Sequence, residues 1–325
     1  MLNRTQLVTV VAGLPCAAVA QPCGVIAGPD LTITGMNTVV NYAADGVRDA
    51  FSVGADQTNI GSVAVNYFGT SSAHPVLGQA LYRLRTVQSA TRLEQIGMSW
   101  LFHGFTPLQG STVCGTCVGG DPNRLGIGCT STDTASRMGS QPGLGPRWQV
   151  NPATGTLAFP HANPPYSGTV ARRLQAKLEE LDTTSSYFVE VMCVAADDAL
   201  AGNSGNNASY RACTMGGGPS DYTMSLAAPA FSGVAAIDAW RRADPIVLPE
   251  AMPVPGDGWI LMASRATYVG PGRWHYEYAV ANYNSNLGAG SFSIPLPDYA
   301  SLSNVGFHDV DYTDGDGEGG ITRDG

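Results

Sequence analysis

The sequence predicts a mainly β protein with two β-rich domains, the second sandwich-like, and one or two short helices in the first. Three observations carry this expectation. Glycine and proline, 40 and 21 of the 325 residues, supply frequent turns. Tyrosine, phenylalanine and tryptophan, 13, 9 and 5 residues, supply core side chains that a disordered chain would lack. Short apolar runs alternate with polar residues, the period of strands rather than helices.

The elements follow in order. Arg4, the apolar run at residues 7–14 and Ala18-Val19-Ala20 before Gln21 have the order of a secretory signal peptide, assigned to residues 1–20. The run is too short to span a bilayer, and no later segment approaches the roughly 20 apolar residues a membrane helix needs. The product is therefore expected to be secreted or held at the cell surface, in an oxidising medium. Cys16 as a lipid anchor is rejected because Pro15 directly precedes it.

A Cys-containing β-rich domain is assigned to residues 21–215. Strands are expected at 31–34, 49–53 and 63–68. Pro75 allows a short helix after His74, and residues 81–85 and 92–97 form a hairpin. From 110 to 165 the pattern dissolves into turn residues and three cysteines, a stretch that needs staples. Val170, Leu174, Leu178 and Leu181 share a stripe that predicts a helix over 170–181. Strands follow at 187–195 and 208–215. The Gly/Pro cluster at 216–219 is read as a boundary to a β-sandwich-like domain, 216–312. There, strands at 259–268, 273–282 and 291–295 form a meander whose middle strand buries Trp274, Tyr276, Tyr278 and Val280. Residues 313–325 are an acidic, Gly-rich tail or a partial calcium loop.

The formal charge is −9, and becomes −10 once Arg4 leaves with the signal peptide. Nucleic acid and anionic membrane surfaces are therefore not expected partners. Loss of Cys16 leaves Cys23, Cys114, Cys117, Cys129, Cys193 and Cys213, which predict three disulfides. Spacing does not fix the connectivity, although Cys193 and Cys213 fall at matching places in two strands. A Cys3His zinc site from His103, Cys114, Cys117 and Cys129 is the competing reading, disfavoured because exported thiols oxidise.

Candidate chemistry is sparse. His74, His103 and His161 lie beside turns and prolines and are the candidate Cu²⁺ or Zn²⁺ ligands, against the plainer reading of isolated histidines. Glu190, alone in an apolar strand, is the candidate general acid, with Glu94 or Asp198 as second carboxylate. The loop at 197–207 is rich in oxygen ligands for Ca²⁺ or a sugar, but equally in ordinary turn residues. Asn207-Ala-Ser209 is a formal glycosylation sequon.

Residues 92–105 (RLEQIGMSWLFHGF), 125–129 (LGIGC), 139–147 (GSQPGLGPR) and 206–211 (NNASYR) resemble segments of exported bacterial proteins of planctomycete-like genomes. The resemblance implies export and carries no activity. Residues 309–325 resemble a dockerin or EF-hand calcium loop. Asp314, Asp316 and Glu318 stand at positions one, three and five, Gly319 at the turn and Ile321 at eight. Glu at position five departs from that pattern, and Gly325 stands where a bidentate Glu belongs. The sequence is therefore expected to continue, and a solvated tail is the alternative. Together these readings favour an extracellular or cell-surface protein with a binding or structural role and a carbohydrate or surface protein as ligand. The alternative is a secreted hydrolase or metalloenzyme, which requires at least two of His74, His103, His161 and Glu190 in one cleft.

Overall fold

The computed structural model describes residues 23–111, 113–163 and 165–310. The residues expected to form a signal peptide, 1–20, and the candidate calcium ligands Asp314, Asp316 and Glu318 lie outside them. The protein is mainly β, as expected. Strands β1 (Leu31–Tyr42) and β2 (Arg48–Asn59) pair first, followed by the short β3 (Val65–Asn66). β4 (Val76–Val87) and β5 (Ala90–Met98) form a hairpin, and β6 (Leu101–His103) follows. The hairpin turn is Gln88-Ser89, both at positive φ, the two-residue geometry that matches strand twist. Next come β7 (Arg124–Leu125), β8 (Thr130–Asp133), α1 (Ala135–Met138), β9 (Leu144–Gly145) and β10 (Leu174–Lys177). β11 (Ser186–Val194), α2 (Ala196–Ala201), β12 (Ala208–Gly218) and β13 (Asp221–Leu226) complete the main sheet region. α3 (Ile237–Ala243) then leads into β14 (Leu248–Pro253), β15 (Trp259–Gly270) and β16 (Arg273–Asn282).

Among the described residues, eleven strands form one sheet along the path β1-β2-β10-β5-β4-β11-β12-β13, with β8 on β2, β6 on β4 and β9 on β6. The sheet rolls until its ends meet. The Asn41 amide on β1 donates to the Met224 carbonyl on β13 and accepts from the Met224 N–H, and Arg211 on β12 donates to the Met36 carbonyl. Leu31, Ile33, Phe51, Val53, Leu77, Leu81, Trp100, Tyr187, Val189 and Val191 fill the interior. A second cluster lies on the outer face, where Ala80, Tyr82, Leu84 and Leu93 pack against Trp240 of α3 and Ala263 of β15. β4 is thus buried on both faces, so it reads as a near-continuous apolar run rather than an alternating one. That is why a helix seemed allowed after Pro75, where the chain instead enters β4 directly.

Four expectations are corrected. The helix over 170–181 is absent: residues 174–177 insert as β10 between β2 and β5, which complete its backbone hydrogen bonds. Arg172, at φ 67°, breaks any helix there. The third strand of the C-terminal sheet is β14, on the far side of β15, and 291–295 has no regular structure. Trp274 and Tyr276 are exposed, while Ala263, Leu261, Ala279 and Ala281 on the opposite face pack inward. Finally, the bridges are Cys23–Cys114 and Cys117–Cys129, and Cys193 and Cys213 are buried free thiols. Tyr187 lies opposite Cys213, and Met192 opposite Ala208, so Cys193 is about six residues out of register with Cys213. That is about 20 Å at strand rise, against the roughly 7 Å Cα limit of a disulfide.

The two bridges staple the loop region that the sequence left without pattern. The cluster at 216–219 is the tip of the β12–β13 hairpin, and the main sheet continues through it to Leu226. The three-stranded sheet is fastened to the main one by the outer-face apolar cluster and by polar ties. Arg92 on β5 makes a two-pronged contact with Glu277 on β16, both bonds 2.7 Å. Asp244, at the end of α3, pairs with Arg265 on β15 at 2.7 Å and accepts the Thr91 hydroxyl of β5 at 2.8 Å, and the Tyr283 hydroxyl accepts from the backbone N–H groups of Asn207 and Ala208.

Candidate functional site

The inner face of the C-terminal sheet closes over the outer face of β4, β5 and β11, leaving a cavity of about 100 Å³. Tyr82, Gln95, Arg147, Glu190 and Tyr283 bring polar groups to it, and Ile237, Leu261 and Ala281 line the rest. Glu190 projects from β11, because residues 189 and 191 face the core and residue 190 must face the other way. Its Oε2 accepts the Ala236 N–H at 2.6 Å, and its Oε1 accepts the Tyr82 hydroxyl at 3.3 Å. Burial pushes the Glu190 carboxyl above its ordinary pKa, opposed by those two bonds and by the Arg147 charge.

Arg147 reaches the cavity from the segment after β9, crossing β4 at Gly78. A side-chain carbon there would meet its guanidinium at 3.0 Å, so the glycine makes room for it. Its Nε donates to the Ser99 carbonyl at 2.6 Å and its Nη2 to the Gln79 carbonyl at 3.0 Å. Burial pulls the Arg147 pKa down, against the Tyr82 and Glu190 charges. Arg147 was not foreseen, because a Gly/Pro-rich segment gives no sign of which strand its side chains will cross.

Glu190 is the one carboxylate lining this cavity. The partners weighed for it lie elsewhere. Glu94 accepts from Arg83 and Arg85 in a nearly dry ion-pair network, and Asp198 accepts from the Leu31 N–H and the Asn207 amide. The two-carboxylate arrangement of glycoside hydrolysis is therefore not assembled at Glu190.

The three candidate histidines do meet. The His74 Nδ1–H donates to the Ser71 carbonyl at 2.6 Å, which leaves Nε2 to accept from His103 Nδ1 at 2.7 Å. His103 stacks on His161, ring centroids 4.2 Å apart and planes within 21°, while Phe105 and Phe159 pack around the group. Imidazole lone pairs lie in the ring plane, so stacked rings do not aim nitrogens at one point. Among the described residues no group of three or more His, Cys, Asp or Glu is arranged to hold a metal ion. Burial, with the neighbouring His161 and His74, lowers the His103 pKa to about 3, and burial likewise lowers His74 and His161. The three rings pack on one another and on Phe105 and Phe159.

Several side chains of the oxygen-rich loop at 197–207 are tied to the neighbouring chain. Asp197 accepts from the Asn66 N–H at 2.8 Å, and Asn203 donates to the Pro29 carbonyl at 2.7 Å. Asn207 of the sequon is buried.

The outer face of the C-terminal sheet is the other notable surface. Tyr268, Trp274 and Tyr276 are 59, 54 and 54% exposed. Tyr268 and Trp274 meet edge-on at 5.4 Å, Tyr276 and Tyr278 are near-parallel at 6.4 Å, and Phe292 packs against Tyr278 at 5.3 Å. Cross-strand register places Leu248 and Ser264 beside Tyr278, and Met262 and Glu250 beside Val280, on this same face. Glu250 is the only charge among those positions.

No family model, no curated protein and no solved structure matches this chain.

Proposed function

We propose that the protein is an exported binding or assembly module that docks a second protein surface through the outer face of β14–β15–β16. Two disulfides and, among the described residues, no helix long and apolar enough to cross a membrane are compatible with an extracellular setting. The observation that carries the reading is the bare aromatic row Tyr268, Trp274 and Tyr276, continued by Val280 and Phe292. At roughly 100 Å² of open surface for each half-exposed ring, the aromatics alone approach the largest apolar patch a monomer ordinarily leaves bare. Leu248, Met262 and Val280 widen it towards the roughly 800 Å² that each side of a stable interface buries. Aromatic and methionine side chains with charge nearly excluded are the composition of an interface core. A flat face of this kind is self-complementary, so a second copy of the chain is the occupant it fits, by sheet-on-sheet packing.

The test is sedimentation or light scattering over a concentration series. We expect concentration-dependent dimers, shifted to monomer by Trp274→Ser with Tyr276→Ser, and unchanged unfolding midpoints at low concentration. A wild type that stays monomeric throughout overturns the reading. So does retention on insoluble neutral glycans that the same two substitutions abolish, which would make the face a carbohydrate platform.

A further inference from the structure

We propose that the cavity between the two sheets is a binding site for a small monocarboxylate, held by the Arg147 guanidinium with Glu190 as its hydrogen-bonding neighbour. Size sets the ligand first. An apolar cavity of about 150 Å³ takes benzene, with six heavy atoms. A cavity of about 100 Å³ scales to about four heavy atoms, the size of acetate. A small carboxylate is the acid that fits inside it whole.

Charge sets the class. Arg147 is the only cation lining the cavity and Glu190 the only acid. They make no ion pair with each other: Arg147 gives Nε and Nη2 to two backbone carbonyls, and Glu190 is occupied by the Ala236 N–H and the Tyr82 hydroxyl. Among the described residues, the hydrogen bonds of the guanidinium run through Nε and Nη2, which leaves Nη1 for a guest. Arg147 is part-buried and, among the same residues, makes no ion pair. A charge held partly away from water without a counter-ion is costly, and a planar carboxylate is the anion its fork geometry matches. Burial favours the neutral form of Glu190. In that form the carboxyl keeps a proton to share with the guest and adds no opposing charge.

The probe is sodium acetate on the full chain, against acetamide and sodium chloride at matched ionic strength. It is followed by calorimetric titration and thermal melting over a pH series that runs upward from the ordinary carboxylate range until the Glu190 carboxyl has ionised. Acetate is expected to bind and raise the melting temperature, acetamide and chloride to do neither. Binding should weaken with rising pH as Glu190 ionises, and Glu190→Gln should bind acetate with that pH dependence removed. Arg147→Lys should weaken binding about tenfold or more, the loss of a two-pronged charge-assisted contact. Equal effects of acetate and acetamide overturn the proposal, as does a Glu190→Gln variant that keeps the wild-type pH slope. Should Arg147→Lys fail to fold, the Glu190→Gln profile decides alone.

Discussion

Asp198 offers the sharpest test of how buried charge acts in this fold. It is fully buried on α2. One oxygen accepts the Leu31 N–H at 2.9 Å, and the other faces the Asn207 amide nitrogen at 2.8 Å. Burial pushes its pKa from 3.8 up to about 7, against those two bonds and with help from Asp30 and Asp197. The unfolded chain releases this proton near pH 3.8 and the folded chain near pH 7, so between them the unfolded state binds fewer protons. Stability therefore falls as pH rises across that window, and above pH 7 the accumulated penalty is roughly 4 kcal/mol. Asp198→Asn removes the titration while keeping the shape. The new carbonyl oxygen takes the Leu31 N–H. The new amide needs an acceptor, and Asn207 Oδ1, now buried without a partner, supplies one when the Asn207 side-chain amide reverses. Urea unfolding of both proteins should show equal stability near pH 4, diverging to an advantage of several kcal/mol for the variant by about pH 8. Other buried acids tilt both curves alike, so the difference isolates this site and its coupling to Asp30 and Asp197. Parallel curves, or a variant less stable at high pH, would refute the reasoning.

Glu94 should behave oppositely. Burial would raise its carboxyl, but hydrogen bonds from Arg85 and Arg83 outweigh that and hold it below the ordinary value. Glu94→Gln strands the buried Arg83 charge and should cost about 3–5 kcal/mol in urea unfolding, much of it recovered when Arg83→Met is added; a loss under about 1 kcal/mol would contradict the network. In the chain lacking residues 1–20, and with them Cys16, thiol titration should find no fast-reacting cysteine in the native protein and two after denaturation without reductant, Cys193 and Cys213. Six would remove both bridges, and none would mean a third.

Legibility from sequence followed the range of the interactions. The β4–β5 and β15–β16 hairpins were readable because turn and alternation are local: Gln88-Ser89 and the Gly270-Pro-Gly272 corner join strands that pair with their neighbours. β10 was misread because its apolar spacing fits a helix over twelve residues, while its hydrogen bonds come from β2 and β5, distant in the chain. The cysteine pair failed for a related reason. Both strands were found, but disulfide geometry depends on register, which the strands' sequences leave open.

The same distinction explains the two surfaces proposed above. Alternation told which residues of β16 share a face but not which face is covered, and bulk was a misleading guide. Against the outer face of the main sheet, Trp240 already fills much of the gap. The opposing face must therefore be small, and it is: Ala263, Ala279 and Ala281. The large rings are turned outward as a consequence. Where those alanines meet Glu190 and Arg147, their small size leaves the cavity. A lone acid in an apolar strand announced Glu190. Arg147 enters from an irregular segment through the opening at Gly78, a contact no local pattern encodes. An apolar filling would often be at least as stable as a part-buried Arg147 charge with no direct counter-ion. Packing therefore does not explain why this cavity is polar, whereas an anionic guest between Arg147 and a neutral Glu190 does.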